Sequence, residues 1–424
     1  MAEVIVAGGG AAGVGAALGA AAAGARVTLL ERAPFLGGAA TISNVLTYCG
    51  FWTQAEPPLA CGGGAGQRVL DEIAALGVDV RPQRMHVSGV VVALIEPEAV
   101  KIALDRILAG AGVEVVLHAR IAGARSEGDR VDALRVLDHR GEFTLSADAY
   151  VDATGEADLA YFSGAATRFG DGDGRAQNGT LAIRFGGIER DADISRATWQ
   201  RAIVAAKARG AAPLTKEHGL VARLGGSGDV LAFLADEAYD ARDAYALSVA
   251  ERHGREQAWA YLAAVRALPG HERAYIVASG PMIGTRESRH ILSPYALTTD
   301  DVLSARMFED TVALGGWPVE YHGGPGTPSI WKRIAGDRAY GIPLRSLHAG
   351  DRVNLFAAGR TVDADPFAFS SLRVMGTSFA TGQAAGVAAA YVAAGADAGP
   401  AAVRAELRRQ GAILELPPDG ESSR

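Results

Sequence analysis

Several features that mark other classes of protein are scarce in this 424-residue sequence. Only two cysteines occur, Cys49 and Cys61, which are too few for a disulfide framework and favour a reducing, cytoplasmic environment. Neither cysteine has the His spacing of a zinc site, so we expect no metal. No apolar run approaches the roughly 20 residues that a membrane-spanning helix requires, so we expect no membrane partner.

Basic residues are also fewer than acidic ones: the chain has 41 Lys and Arg and 48 Asp and Glu, which gives a net charge of −7. No run of Lys and Arg interleaved with aromatic residues is present, which argues against nucleic acid as a partner. The chain is 49% hydrophobic, which is typical of an enzyme with a large buried interior. The partner we expect is a small-molecule substrate, and a homo-oligomer is compatible with the sequence.

The first thirty residues predict a βαβ unit that binds a dinucleotide. An apolar strand leads into the motif GGGAAG at residues 8–13, which is followed by an Ala-rich helix and a second strand ending at Glu31. Gly8 permits a tight turn, Gly10 lets the backbone approach a diphosphate, and Gly13 lets the helix pack close to the strand. A carboxylate at Glu31 suits a ribose diol and repels a 2'-phosphate, which favours FAD or NAD over NADP.

Two later motifs favour FAD over NAD. Arg32 follows Glu31, and the segment 33–38 ends in Gly37 and Gly38, a pair that resembles the second glycine pair by which flavoproteins continue the diphosphate loop. Simple NAD dehydrogenases lack this pair. Thr154 and Gly155, after a strand predicted at 149–152, resemble the turn at which flavoproteins let the backbone pass beside the ADP half of the cofactor.

The C-terminal part of the chain predicts the other half of the site. A strand at 353–358 opens into a loop with Gly359 and Arg360, and Arg373 precedes a helix predicted over 377–393. A helix start presents free N–H groups and a partial positive charge, which stabilise the negative charge on the N1/O2 edge of reduced flavin, and Arg373 adds a full cation there. The predicted cofactor-binding residues are Gly8, Gly10, Ala12, Gly13, Glu31, Arg32, Gly37, Gly38, Ala39, Thr154, Gly155, Gly359, Arg360, Arg373, Val374 and Met375.

The middle of the chain has a different character. It predicts a strand over 181–185 and helices over 194–209 and 229–268, and it contains no second dinucleotide motif. These elements, together with a rich set of Trp, Tyr, His and Arg residues, indicate a cap over a cofactor.

In this order and spacing, the motifs resemble the FAD-dependent oxidoreductase family of the glutathione-reductase-like flavoprotein superfamily. The resemblance also rests on the segments 151–158, 283–289 and 340–347. It implies an α/β protein with a discontinuous Rossmann-type FAD-binding domain, residues 1–164 and 340–424. An inserted α+β substrate or cap domain, residues 165–339, and non-covalent FAD are implied as well.

Candidates for catalysis come from a short stretch that we expect to turn toward the flavin. Arg286, Glu287 and Arg289 lie in it, and a guanidinium there could hold a substrate carboxylate in a bidentate fork. The alternative is an ion-pair cluster that fixes the domain boundary. Cys49 is either an ordinary buried cysteine or a thiol near the flavin that forms a covalent thioether link or acts in redox chemistry. Further acid or base candidates are His290, Tyr295, His322 and Arg345.

The predicted reaction is dehydrogenation of a small organic metabolite by hydride transfer to flavin N5, with reoxidation by oxygen or another acceptor. One alternative is a flavin monooxygenase that uses NAD(P)H and oxygen, and another is a non-redox flavin-binding protein. The absence of a CxxC motif argues against a disulfide reductase. The sequence does not identify the substrate or the electron acceptor.

Overall fold

The computed structural model of the chain describes residues 1–85 and 89–417, which fold into alternating strands and helices. The helices in these residues are α1 (Ala11–Ala22), α2 (Gly64–Ala75), α3 (Pro97–Gly110), α4 (Asp158–Phe162), α5 (Arg196–Ala208), α6 (Ala244–Val265), α7 (Thr299–Leu303), α8 (Pro366–Leu372), α9 (Met375–Ala393) and α10 (Pro400–Arg409). The strands are β1 (Glu3–Ala7), β2 (Arg26–Leu30), β3 (Thr47–Cys49), β4 (Gln83–Arg84), β5 (Val91–Leu94), β6 (Glu114–Val116), β7 (Arg120–Glu127), β8 (Arg130–Asp138), β9 (Gly141–Leu145), β10 (Ala149–Asp152), β11 (Thr167–Phe169), β12 (Gly179–Gly186), β13 (Val221–Arg223), β14 (Val230–Glu237), β15 (Tyr275–Ser279), β16 (Arg289–Ile291), β17 (Thr311–Gly315), β18 (Val319–Tyr321), β19 (Ile330–Lys332), β20 (Tyr340–Pro343) and β21 (Leu355–Ala357).

A five-stranded parallel sheet in the order β6-β2-β1-β10-β21 forms the centre of the fold. Strands β1, β10 and β21 are buried almost throughout, as parallel strands covered by helices must be. The order reverses between β1 and β10, which is the topological switch point of a doubly wound sheet. The predicted α/β class is confirmed, whereas the division at residues 164 and 340 stays a prediction.

Helices α1 and α9 lie against each other with their backbones in contact. A Cβ added at Gly386 would lie 2.8 Å from Ala16 Cα and overlap the Ala16 carbonyl oxygen, and one at Gly382 would meet Ala12 in the same way. The contacts advance together along both helices, so α1 and α9 run in the same direction. In the described part of the chain, neither α9 nor any other helix combines the length and hydropathy that a membrane crossing needs.

A second apolar core lies between the antiparallel sheet β13-β14-β12-β15 and helices α5 and α6. Strand β12 and helix α5 confirm the predicted strand at 181–185 and helix at 194–209. The prediction of one helix over 229–268 is wrong in its first part, because residues 230–237 form β14 and α6 begins only at Ala244. Strand β14 pairs with a strand on each side and is buried almost throughout. Its sequence is therefore a continuous apolar run, and such a run is equally typical of a buried strand and of a buried helix.

Candidate cofactor and substrate site

The loops that carry most of the predicted cofactor residues emerge at one edge of the central sheet. Strands β1, β2, β10 and β21 are parallel, so their carboxyl ends meet there. Open α/β sheets bind their ligands at this edge. The residues concerned are Gly8, Gly10, Ala12 and Gly13 after β1, Glu31 and Arg32 after β2, Thr154 and Gly155 after β10, and Gly359 and Arg360 after β21.

The glycines of the first loop have two different roles. Gly8 has a φ of 99°, and a Cβ there would lie 2.9 Å from Thr154 Cα; a Cβ at Gly13 would overlap the carbonyl of Gly8. These two positions are closed by the protein's own backbone. Gly10 is open, because the nearest atom to an added Cβ is Gly38 Cα at 3.7 Å. A Cβ at Gly38 would lie 2.8 Å from Gly10 Cα, so Gly38 packs against Gly10, and the loop leaves open space only on the side of Gly10 that a Cβ would occupy.

The start of helix α1 faces this space with its backbone donors free. Gly10 is the N-cap, no side chain caps the helix, and the first turn holds no acidic residue. The first N–H groups of a helix have no intrahelical acceptor and carry a partial positive charge. The arrangement fits a diphosphate, which takes its hydrogen bonds from such N–H groups.

Glu31 connects the first two loops. Its buried carboxylate accepts hydrogen bonds from the backbone N–H of Gly9 (2.7 Å) and of Ala33 (2.8 Å). A carboxylate has about four acceptor positions, so two remain for a ribose diol. Arg32 is exposed beside it, and Gly37 donates its N–H to the carbonyl of Gly9 at 2.9 Å.

Arg360 lies across the turn at Gly155. Its Cζ would be 2.9 Å from a Cβ at Gly155, and its Nη2 donates to Glu156 Oε1 at 2.9 Å. Arg360 Nη1 and Glu156 Oε2 are buried without a hydrogen-bond partner in the described residues. Thr154 is engaged within its own turn, where its hydroxyl donates to Asp152 at 2.7 Å. The orphaned Nη1 is thus a donor that a ligand at this turn would satisfy.

A cavity of about 1130 Å³ adjoins these loops. Its wall includes Ala39, Arg360, Arg373, Val374 and Met375, which are members of the predicted cofactor set. Gly359 precedes Arg360, and a Cβ added at Gly359 would lie 2.8 Å from Ala12 Cβ and 3.3 Å from Ser378 Oγ. Other lining residues come from the antiparallel sheet and from the segments 215–223, 284–286 and 317–333.

Helix α9 begins at this cavity. Its first residue is Met375, two residues before the predicted start, and its N-cap Val374 makes no side-chain cap. Arg373 donates from Nη2 to the carbonyl oxygen of Glu320 at 3.3 Å, and its Nε is buried without a partner in the described residues. Burial lowers the pKa of Arg373, and the negative charge of Glu320 opposes that shift. The helix start therefore brings free N–H groups and a cation to the cavity wall.

Cys49 lies in the same wall, half-buried, with its carbonyl oxygen packed against Gly376. Burial, and then the negative charge of Glu320, raise the pKa of its thiol to about 12. The thiol is therefore protonated at neutral pH, and a protonated thiol is a poor nucleophile. A role for Cys49 in covalent attachment or redox chemistry stays without support.

Glu320 and His322 form a buried polar pair that also lines the cavity. His322 Nε2 lies 3.2 Å from Glu320 Oε1, and its Nδ1 lies 3.0 Å from the hydroxyl of Ser329. Burial and the charge of Arg286 lower the pKa of His322 to about 3, so its imidazole is neutral. Burial alone would raise the pKa of Glu320, but the hydrogen bond from His322 and the charge of Arg373 lower it to about 2.

The three predicted catalytic residues are separated by the fold. Arg286 lines the cavity, but the carboxylate of Glu287 accepts the N–H of Gln177 at 2.9 Å and pairs with His290 at 3.3 Å. Arg289 pairs with Asp158 at 3.1 Å, outside the lining. For Glu287 and Arg289 the structure favours the alternative of an ion-pair cluster. Only Arg286 stays a candidate for contact with a substrate.

Of the other acid or base candidates, only His322 lines the cavity. His290 is fully buried, Tyr295 donates its hydroxyl to Asp301 at 2.7 Å, and Arg345 pairs with Asp310. The sequence analysis missed Lys216 and Glu320. Glu320 and His322 are two residues apart, the spacing that places side chains on one face of extended chain, and that signal could have identified the pair. Lys216 carries no such signal.

Comparison with known proteins gives the family. The profile of the family described as FAD dependent oxidoreductase matches residues 3–410. No curated protein matches the sequence. Among solved structures, the chain is similar to CabE, an aromatic hydroxylase from angucycline biosynthesis, with 15% identity and a TM-score of 0.52 over 96% of this chain and 65% of CabE. It is also similar to the myxobacterial chondrochloren halogenase CndH, with 16% identity and a TM-score of 0.50 over 96% of this chain and 78% of CndH.

These similarities carry different weights. At such identities the two solved structures show the fold alone, and this chain spans less than two thirds of the length of CabE. The family match covers nearly the whole chain and agrees with the cofactor predicted from the glycine motifs. The chain belongs to the FAD-dependent oxidoreductase family, and FAD is its cofactor.

Proposed function

We propose that the FAD diphosphate binds at the start of α1 beside Gly10, and that the ribose binds at Glu31. The free N–H groups of α1 and the orphaned Nη1 of Arg360 support this placement. The flavin ring would lie at the cavity beside Arg373 and the start of α9, which stabilise negative charge on it. The binding is non-covalent in this proposal.

We also propose that the chain is divided into an FAD-binding domain and a cap domain. Residues 1–164 and 340–424 would hold FAD in a Rossmann-type domain of the glutathione-reductase-like kind, and residues 165–339 would form the cap. The pairing of β21 with β10 supports the first part, because it brings the C-terminal segment into the N-terminal sheet. The separate apolar core within residues 181–283 supports the second.

We infer that the reaction is hydroxylation of an organic substrate with NAD(P)H and oxygen. The observation that carries this inference is the likeness in fold, over 96% of this chain, to an aromatic hydroxylase and to a halogenase. The cavity of about 1130 Å³ is large enough for a substrate with a ring system. When bound, FAD supplies a two-electron carrier that NAD(P)H reduces and oxygen reoxidises.

Dehydrogenation of a metabolite is the second candidate, and a specific feature favours it. The guanidinium of Arg286 lines the cavity and can hold an anionic group of a metabolite there. His322 does not supply the base, because its pKa is about 3 and its Nδ1 lies 3.0 Å from the Ser329 hydroxyl. In this candidate the substrate itself reduces the flavin.

Anaerobic reduction tests which reaction occurs. We expect NADH or NADPH alone to bleach the visible absorbance of the bound flavin, and readmitted oxygen to restore it, because hydroxylation needs flavin reduced by an external hydride donor. The measurement is the rate of bleaching in an anaerobic spectrophotometer. Free FAD with the same NAD(P)H is the control for reduction without the protein.

Two results would contradict the inference. Bleaching by an organic metabolite, but not by NAD(P)H, would establish dehydrogenation instead. A flavin that dithionite reduces, but that neither NAD(P)H nor any metabolite of a broad panel reduces, would favour a non-redox flavin-binding protein.

A further inference from the structure

Three basic side chains from distant parts of the sequence converge on the cavity. Lys216 lies in the loop after α5, Arg286 lies between β15 and β16, and Arg373 directly precedes α9. They are close enough for their charges to interact: after burial, the charge of Arg286 lowers the pKa of Lys216, and that of Arg373 lowers the pKa of Arg286. A protein with a net charge of −7 thus concentrates positive charge at one place.

The two guanidinium groups have little negative charge opposite them. Arg286 donates to the carbonyl oxygen of Asn178, and Arg373 donates to the carbonyl oxygen of Glu320. Within residues 1–85 and 89–417, no carboxylate oxygen lies within 4.0 Å of either guanidinium, and Arg373 Nε is orphaned. Burying such a cation is costly unless it is paired, so the arrangement is complete only with an anion.

The carboxylates nearest the cluster pair with other groups. Asp236 lies 3.4 Å from Lys216 Nζ and accepts the N–H of Gly326 at 3.2 Å, while its Oδ1 is buried without a hydrogen-bond partner in the described residues. Glu320 pairs with His322, and its other oxygen accepts the indole N–H of Trp317 at 3.2 Å. Glu287, whose charge raises the pKa of Arg373, accepts the N–H of Gln177 and lies 3.3 Å from His290. In the described residues, none of these carboxylates pairs with Arg286 or Arg373.

We propose that this cluster is the subsite for a carboxylate group of the substrate, held by Arg286 and Lys216. The proposal rests on the proposed function, because the ligand is the molecule on which the FAD-dependent reaction acts. A guanidinium presents parallel N–H donors that match the two oxygens of a carboxylate, and an ammonium adds a point charge beside them.

The remainder of the wall defines the body of the ligand. Many apolar side chains line the cavity, so a small inorganic anion would leave most of it without contacts. An apolar or aromatic body with one carboxylate would contact both the apolar side chains and the basic cluster. The apolar lining residues include Val45, Val92, Leu94, Ala182, Trp317 and Val374.

A matched pair of probes tests the carboxylate subsite. Benzoate and its neutral isostere benzamide are titrated into the FAD-loaded protein, and dissociation constants are read from the flavin difference spectrum and from the thermal shift. We expect benzoate to bind at least about tenfold more tightly than benzamide. Arg286→Gln and Lys216→Met should each remove that preference, raising the benzoate Kd by about tenfold or more.

Lys332→Gln is the matched control, because Lys332 lies in the same cavity wall but is exposed. Solvent and salt screen an exposed charge, so this variant should keep the benzoate preference within about twofold. A uniform loss in all three variants would show a general electrostatic field rather than a subsite, and would overturn the proposal.

Other outcomes would overturn it as well. These are equal binding of benzoate and benzamide to the wild type, a preference that survives in both Arg286→Gln and Lys216→Met, and tighter binding of inorganic phosphate than of benzoate. Reduction by NAD(P)H is measured on the same samples. Normal reduction without a carboxylate preference rejects only the substrate class, whereas a carboxylate preference without reduction rejects only the proposed reaction.

Discussion

We expect Gly10→Ala to weaken FAD binding by about 100-fold or more, which is about 2.8 kcal/mol of binding free energy. An added Cβ would occupy the open space beside Gly10 that the diphosphate needs in order to reach the N–H groups of α1. The protein itself should tolerate the change, because Gly10 has extended backbone and the nearest atom to the new Cβ is 3.7 Å away. Isothermal titration of the apoprotein with FAD measures the effect.

Gly110→Ala is the matched control for that experiment. It makes the same chemical change at the end of α3, where an added Cβ meets no atom within 4 Å. FAD affinity should be unchanged in this variant. If Gly10→Ala bound FAD as tightly as Gly110→Ala, the diphosphate would not lie beside Gly10.

The second large effect that we expect is on stability. Gly386→Ala places a Cβ against the carbonyl oxygen of Ala16, so α1 and α9 must move apart along their shared interface. Overpacking of this kind costs about 1–3 kcal/mol of unfolding free energy. Denaturant unfolding, followed by circular dichroism, measures the loss.

Movement of α1 and α9 apart should also change the geometry of the cofactor site, because both helices begin there. We therefore expect weaker FAD binding in Gly386→Ala, even though Gly386 lies along the helix and away from its start. Gly110→Ala is again the control and should change stability by less than about 0.5 kcal/mol. Wild-type stability in Gly386→Ala would mean that the two backbones are not in contact.

Most of the residues proposed to bind FAD could be predicted because the motifs that identify them are short segments of the sequence. Gly8 and Gly13 must lack a Cβ because other backbone atoms approach them closely. The glycine motif at residues 8–13 therefore predicts this loop from the sequence alone. The α/β class and the strand that ends at Asp152 followed from the same local patterns. The parallel pairing of the strands then brings the loops to one edge.

The substrate side could not be predicted in the same way. Lys216, Arg286, Glu320 and Arg373 are separated by dozens of residues, and only the tertiary fold brings them to one wall. Arg286 and Arg289 look alike in the sequence, yet one lines the cavity and the other pairs with Asp158. Local spacing cannot make that distinction.

The wrong prediction of a helix at β14 also arose because the deciding contacts are not local in the sequence. The residues of β14 are apolar on both faces because the strand lies inside a sheet that a helix covers, and a buried helix shows the same run. The alternation that normally identifies a strand is lost when both faces are buried. Pairing with β12 and β13, which the local sequence does not encode, decides the outcome.

We expect this chain to hold one FAD, non-covalently, at the carboxyl edge of its parallel sheet. Acid precipitation of the purified protein measures both the stoichiometry and the attachment of the flavin. One FAD per chain should be released into the supernatant and rebound by the apoprotein. A colourless protein that does not take up added FAD, or a flavin that stays with the precipitate, would contradict it.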